Sequence, residues 1–283
     1  MANKGNFPAG FEGCPCIPPV VLSIGGSDPS AGAGIQADLL TFARLGVHGC
    51  TAITALTVQD SVDVQRFSLV PPAECLQQAQ AILDDIPVRV IKIGMLGSAE
   101  MVCALADWLE QYPDIPVVLD PVMAAGGGSS LALAGLREAL IHKLLPKITI
   151  LTPNAPEALL LAAASDLESA GVWLNRQGVP WVLITGGHGD TPELENRLYH
   201  QERLQQIFYQ QWLPQHYHGS GCTLASAIAA GLAKGIELRQ AVQEALDFTH
   251  AALRQAYPLG RGQYFPQRFY KREAALDDSH EQG

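Results

Sequence analysis

Long apolar runs are missing from these 283 residues: no stretch is both long enough and free enough of polar side chains to span a bilayer. Positive charge is scarce too, with 18 Lys and Arg against 28 Asp and Glu and a formal net charge of −10. A surface that neutralises a nucleic-acid backbone needs an excess of basic groups, so nucleic acid is excluded as an expected partner. A phosphorylated ligand is not excluded, because a metal ion and backbone N–H groups can supply a positive field locally. Residues 1–13 hold one lysine and no apolar core, unlike a secretion signal. The six cysteines, Cys14, Cys16, Cys50, Cys75, Cys103 and Cys222, lack metal-ligand spacing. Cys14-Pro15-Cys16 suits neither a zinc knuckle nor a redox pair. A reducing, cytoplasmic compartment is the default expectation. There is also no internal repeat and no linker that would divide the chain.

What is present is a succession of short apolar strands and amphipathic helices. Strands are predicted at 19–24, 50–58, 88–93, 117–119, 148–151 and 182–185, and helices at 34–45, 99–110, 131–145, 221–234 and 237–256. Strands alternating with helices mean an α/β fold, a mostly parallel sheet covered on both faces. Residues 190–217, rich in Gln, read as a pair of edge strands or a flap. The expected organisation is a flexible segment 1–17, one domain over 18–269 and a charged, flexible tail 270–283.

Ligands of such sheets collect beyond the C-terminal strand ends. Those ends carry Gly25-Gly26-Ser27-Asp28, Lys92-Ile93-Gly94-Met95, Asp120-Pro121-Val122-Met123, Thr152-Pro153-Asn154 and Thr185-Gly186-Gly187. Acidic, amide and glycine residues repeat along one edge, as in a polar cleft on an apolar scaffold. Near the C-terminus, His218-Gly219-Ser220-Gly221-Cys222-Thr223-Leu224 opens a helix of small residues. Glycines there permit a tight turn, and the free N–H groups of a helix start, with its dipole, favour an anion. The lysine and glycine spacing of a P-loop are absent. Cys222 reads either as a small buried side chain or as a thiol of lowered pKa that acts as a base.

The stretch 218–224 resembles the signature of the hydroxymethylpyrimidine and phosphomethylpyrimidine kinases of thiamine synthesis, within the ribokinase-like superfamily. Further blocks match in order: residues 25–38, Thr54-Ala55-Leu56-Thr57-Val58-Gln59, residues 92–96, residues 120–123 and Thr152-Pro153-Asn154-Ala155-Pro156-Glu157. The resemblance implies a three-layer ribokinase-like fold, a homodimer, and a kinase using ATP and Mg²⁺. Its substrate would be 4-amino-5-hydroxymethyl-2-methylpyrimidine and the monophosphate of that alcohol. It further implies that Asp38 and Gln59 pair with the aminopyrimidine edge and that Gly26, Met95 and Val122 wall the ring. Gly219, Ser220 and Gly221 would hold the transferred charge, and Cys222 would take the alcohol proton. Asp120, Asn154, Thr185 and Gly187 would meet the nucleotide, with Asp120 and Glu157 at the metal. Glu157 also reads as N-terminal support for a helix starting at Pro156.

This chain departs from the family pattern where lysine is common: it has Thr185 ahead of Gly186-Gly187-His188, and Ala124-Ala125-Gly126-Gly127-Gly128 after Met123. Two other functions are weighed against the pyrimidine kinase. A vitamin B6 kinase shares the Gly-Ser-Gly-Cys type of turn, but its substrate has no exocyclic amine for Asp38 and Gln59. A non-catalytic pyrimidine sensor would account for the absent lysines.

Overall fold

The computed structural model describes residues 17–123, 134–186 and 193–270. The expected end segments 1–17 and 270–283 therefore fall, save Ile17 and Tyr270, outside the described residues. Nine strands form one sheet: β1 (Val20–Ser27), β2 (His48–Gln59), β3 (Val64–Leu69), β4 (Val88–Ile93), β5 (Val117–Leu119), β6 (Ile150–Leu151), β7 (Trp181–Ile184), β8 (Glu193–His200) and β9 (Arg203–Gln211). Their order is β3-β2-β1-β4-β5-β6-β7-β8-β9. The run from β2 to β7 is parallel, and β3, β8 and β9 are antiparallel additions at the two edges. The segment read as edge strands or a flap is thus both: β8 and β9 form the edge hairpin, and residues 212–218 run on from it to the cavity.

The helices are α1 (Gly34–Arg44), α2 (Pro72–Asp85), α3 (Ala99–Leu109), α4 (Leu136–Ala139), α5 (Ala155–Ala162), α6 (Leu167–Arg176), α7 (Ser220–Ala233) and α8 (Leu238–Arg254). The helix expected over 131–145 begins within residues that are not described. Its described part starts after Gly135, in left-handed backbone, and α4 runs on through a π turn at Leu140–Leu144.

Alternating strand residues feed two cores, because successive side chains point to opposite faces. Leu22, Ile91, Leu119 and Leu151 pack with Leu105 of α3, Leu161 of α5 and Leu174 of α6. Val21, Val90, Val118 and Ile150 pack with Phe42 of α1, Ile228 of α7 and Val242 of α8. Both faces of the central strands are covered, which is why they read as continuous apolar runs. The result is three layers, helices on either side of a mostly parallel sheet. Helix α3 starts where the Ser98 hydroxyl accepts the Met101 N–H at 3.2 Å, and α6 where Asp166 accepts the Ser169 N–H at 2.8 Å.

Candidate active site

Beyond the C-terminal ends of the parallel strands lies a cavity of about 460 Å³. Gly25, Gly26, Met95, Asp120, Val122, Asn154, Glu157, Thr185 and Gly219–Cys222 all border it, as do Gln59 and the 210–218 flap. The structure thus brings together every site residue expected from the sequence that it describes. Gly187 lies outside the described residues.

The turn that opens α7 is built by close approach. Gly219 has φ +75°, and a Cβ there would run into the Gly32 carbonyl, so only glycine fits. No side chain caps the helix. The first backbone bond runs from Thr223 N–H to the Gly219 carbonyl at 3.0 Å, so the preceding N–H groups face forward without an intrahelical acceptor. Opposite, the 28–33 loop is held by Asp28, whose carboxylate accepts the Ser30 N–H (2.8 Å), the Ser30 hydroxyl (3.0 Å) and the Ala33 N–H (2.8 Å). His218 Nε2 lies 2.8 Å from the same carboxylate. Burial pushes Asp28 up, but these hydrogen bonds outweigh it and hold the group below its ordinary value. The N-terminal loop and the α7 turn are therefore one clamped unit.

Asp38, expected at the ring amine, also borders this cavity, from its floor. It is completely buried, and its Oδ2 accepts the Ser23 hydroxyl at 2.6 Å and the Lys92 ammonium at 2.9 Å. Its Oδ1 accepts the Ser226 hydroxyl at 2.6 Å. With both oxygens held by protein donors, the carboxylate joins β1, α1, β4 and α7 beneath the cavity. Gln59 remains as the amide at the ring edge of the cavity, its Nε2 donating to Thr57 Oγ1 at 2.7 Å. Met95 and Val122 pack together there, and a Cβ on Gly26 would come within 3.1 Å of the Met95 sulfur.

Lys92 was legible only as part of a matching block, yet it is the buried cation of the site. Burial works against its ammonium, but the Asp38 carboxylate beside it prevails, with Asp120 adding to the pull, and raises its pKa. Cys222 reverses an expectation. Burial pushes the thiol up to about 12, against the pull of Lys92, so in the free protein it carries its proton. The field of a helix start favours the thiolate, but the crowding of protein around this half-buried sulfur outweighs it. The thiol hydrogen-bonds Asp120, whose carboxyl burial raises to about 6 despite Lys92.

Glu157 and Asn154 serve as a capping box as well as cavity lining. Asn154 Oδ1 accepts the Glu157 N–H at 2.9 Å, and Glu157 Oε2 accepts the Asn154 N–H at 3.0 Å. Burial and the neighbouring Asp120 raise Glu157 to about 7. Two carboxylates that resist ionising beside one another fit a hard, oxygen-seeking divalent cation. Among the described residues no group of three or more His, Cys, Asp or Glu is placed to hold a metal ion.

The raised Glu157 has a sign that can be checked. Below its ordinary value of 4.5 the proton is held in folded and unfolded states alike; as pH rises through about 7 the folded protein loses that advantage. Without divalent metal, the melting temperature is expected to be several degrees lower at pH 8 than at pH 5.5. Glu157→Gln should narrow that gap, and Mg²⁺ at pH 8 should close part of it in the unsubstituted protein. An identical gap in Glu157→Gln, by calorimetry in EDTA, would remove Glu157 as its cause.

The sequence profile described as phosphomethylpyrimidine kinase matches residues 28–267. The chain belongs to the phosphomethylpyrimidine kinase family. The hydroxymethylpyrimidine/phosphomethylpyrimidine kinase of Streptomyces coelicolor is 39% identical over 88% of this chain and 93% of its own length. The thiamine biosynthesis bifunctional protein ThiED of Geobacter sulfurreducens is 44% identical over 86% of this chain; the chain spans 50% of that longer protein. Among solved structures, the phosphomethylpyrimidine kinase of Clostridium difficile 630 is 34% identical with a TM-score of 0.72, covering 81% of this chain and 97% of that one. The ADP complex of Bacillus subtilis pyridoxal kinase is 30% identical with a TM-score of 0.81, covering 89% and 98%. These kinase relatives give the three layers their superfamily, the ribokinase-like fold.

Proposed function

We propose that this member of the family transfers the γ-phosphoryl group of ATP to the hydroxymethyl oxygen of 4-amino-5-hydroxymethyl-2-methylpyrimidine, and then to the resulting monophosphate. One observation carries the reading. A single cavity is bordered by Gln59, Met95 and Val122 and by the N–H groups and thiol of the α7 turn. Gln59 offers the donor and acceptor that an aminopyrimidine edge requires. Phosphoryl transfer needs positioning and charge stabilisation more than covalent help, and the clamped 219–222 turn provides both. The Cys222 thiol stands at the alcohol. The alcohol proton moves to the sulfur as the thiol's own proton passes to Asp120, so the thiol relays without existing as a free thiolate. Asp120 and Glu157 would hold Mg²⁺ through its water shell, and the ion would offset phosphate charge.

Thr185 borders the cavity and brings no charge, its hydroxyl lying 3.5 Å from the Pro153 carbonyl. Thr185→Lys is expected to lower the KM for ATP several-fold with kcat little changed, because a charged donor binds phosphate more strongly than a neutral one. Unaltered KM in steady-state assays would sink that charge argument.

The wider similarity to pyridoxal kinases makes vitamin B6 the competing substrate. A competition assay with both alcohols, read by phosphorus NMR, is expected to give the pyrimidine mono- and diphosphate in sequence while pyridoxal goes unconverted. Preferential phosphorylation of pyridoxal would overturn the reading, and pyrimidine binding with no ATP turnover would favour a non-catalytic sensor.

A further inference from the structure

Arg268 is 96% removed from solvent, at 4% exposure, and does not border the cavity. Its guanidinium donates to the Gly32 carbonyl at 2.6 Å, to the Ala31 carbonyl at 3.5 Å and to the Thr223 hydroxyl at 3.1 Å. These contacts fall on both halves of the clamp: the 31–32 loop and the first turn of α7. Among the described residues no carboxylate lies within ion-pair distance of it. Asp28 and Asp38 act on it only through space, and each is already engaged, by His218 and by Lys92. A buried guanidinium without a counter-ion is unfavourable and needs a compensating anion. Lys92 cannot serve the same purpose, because Asp38 neutralises it at 2.9 Å.

We propose that Arg268 is a positioning residue for phosphoryl transfer: it ties the Gly32 loop to the α7 turn and lends that turn the positive charge whose partner is the incoming phosphoryl group. The assignment rests on the kinase reading above. It also gives a physical place for the charge that this chain lacks at Thr185 and after Met123. The guanidinium never touches the ligand. It acts through Thr223 and the Gly32 carbonyl, which fix where the free N–H groups point, and through its own field in a setting of low dielectric.

The test separates anion holding from mere folding. Arg268→Met and Arg268→Lys are compared with the unsubstituted chain by calorimetric binding of the pyrimidine alcohol, its monophosphate and inorganic phosphate, and by steady-state kinetics. Arg268→Met is expected to bind the alcohol normally and the monophosphate about tenfold more weakly, the size of a charge effect at a partly buried helix end. Its kcat should fall about 10²-fold, with KM for the alcohol unchanged. Arg268→Lys should recover most of both. Equal losses for alcohol and monophosphate, or no loss for either, would overturn the proposal. Should Arg268→Met fail to fold, Arg268→Gln takes its place: equal weakening of alcohol and monophosphate, or no weakening, counts against the proposal, and selective weakening of the monophosphate supports it. Lack of turnover with any pyrimidine would sink the kinase reading, while weaker phosphate binding by the variants would still be read independently.

Discussion

Cys222→Ala is expected to lower kcat by about 10²–10⁴-fold, the range for a group that moves a proton in the transition state. KM for the pyrimidine should change little, because the ring contacts proposed for Gln59, Met95 and Val122 are left in place. Cys222→Ser keeps a hydroxyl that can relay a proton to Asp120, so it should retain more activity than the alanine variant. The distinction matters because burial pushes the thiol up to about 12. A preformed thiolate would be irreplaceable by serine and would react quickly with iodoacetamide at neutral pH; a relay predicts slow alkylation and partial rescue. Full activity in Cys222→Ala under single-turnover conditions would remove the thiol from the chemistry.

Lys92→Met is expected to be the most damaging single change to stability. It would leave Asp38, with no exposed surface, as a buried carboxylate held only by two hydroxyls. Removing one partner of a buried pair costs about 3–5 kcal/mol. For a chain of this size that is roughly a 10 °C drop in melting temperature. Adding Asp38→Asn should recover part of the loss, because the orphaned charge goes too. Denaturant unfolding of the two single variants and the double variant checks the coupling. Strict additivity of the two losses would show that the pair is not the unit described here.

The fold was largely legible because the central strands are buried on both faces and so announce themselves as apolar runs. The elements that sequence reading passed over are those with little to bury. Edge strand β3 alternates polar residues, and α2 presents only Cys75 and Ala79 as buried side chains. Helix α6 buries Ala170, Gly171 and Leu174, small residues that leave a faint periodicity; Gly171 is needed because the Tyr199 ring lies against it. At the site, residue types on strand ends and the glycine turn pointed to the correct edge of the sheet. Sequence could not reveal which carboxylate is satisfied from below. Asp38 and Asp120 look alike as letters, and only the structure shows that Asp38 meets Ser23, Lys92 and Ser226 while Asp120 meets the Cys222 thiol. Arg268 was hidden for a related reason, since its partners are two backbone carbonyls and a hydroxyl 45 positions away.

The clamp between Asp28 and His218 joins positions 190 residues apart, and Asp38 meets Ser226 across 188. At about 5–20 residues per second of translation, a nascent chain waits roughly ten to forty seconds between exposing the first acid and delivering its imidazole. Until then the early half on the ribosome lacks the α7 turn, the His218 ring beside Asp28 and the Ser226 hydroxyl that Asp38 accepts. Catalytic competence thus arrives all at once and late, when the last quarter of the polypeptide emerges.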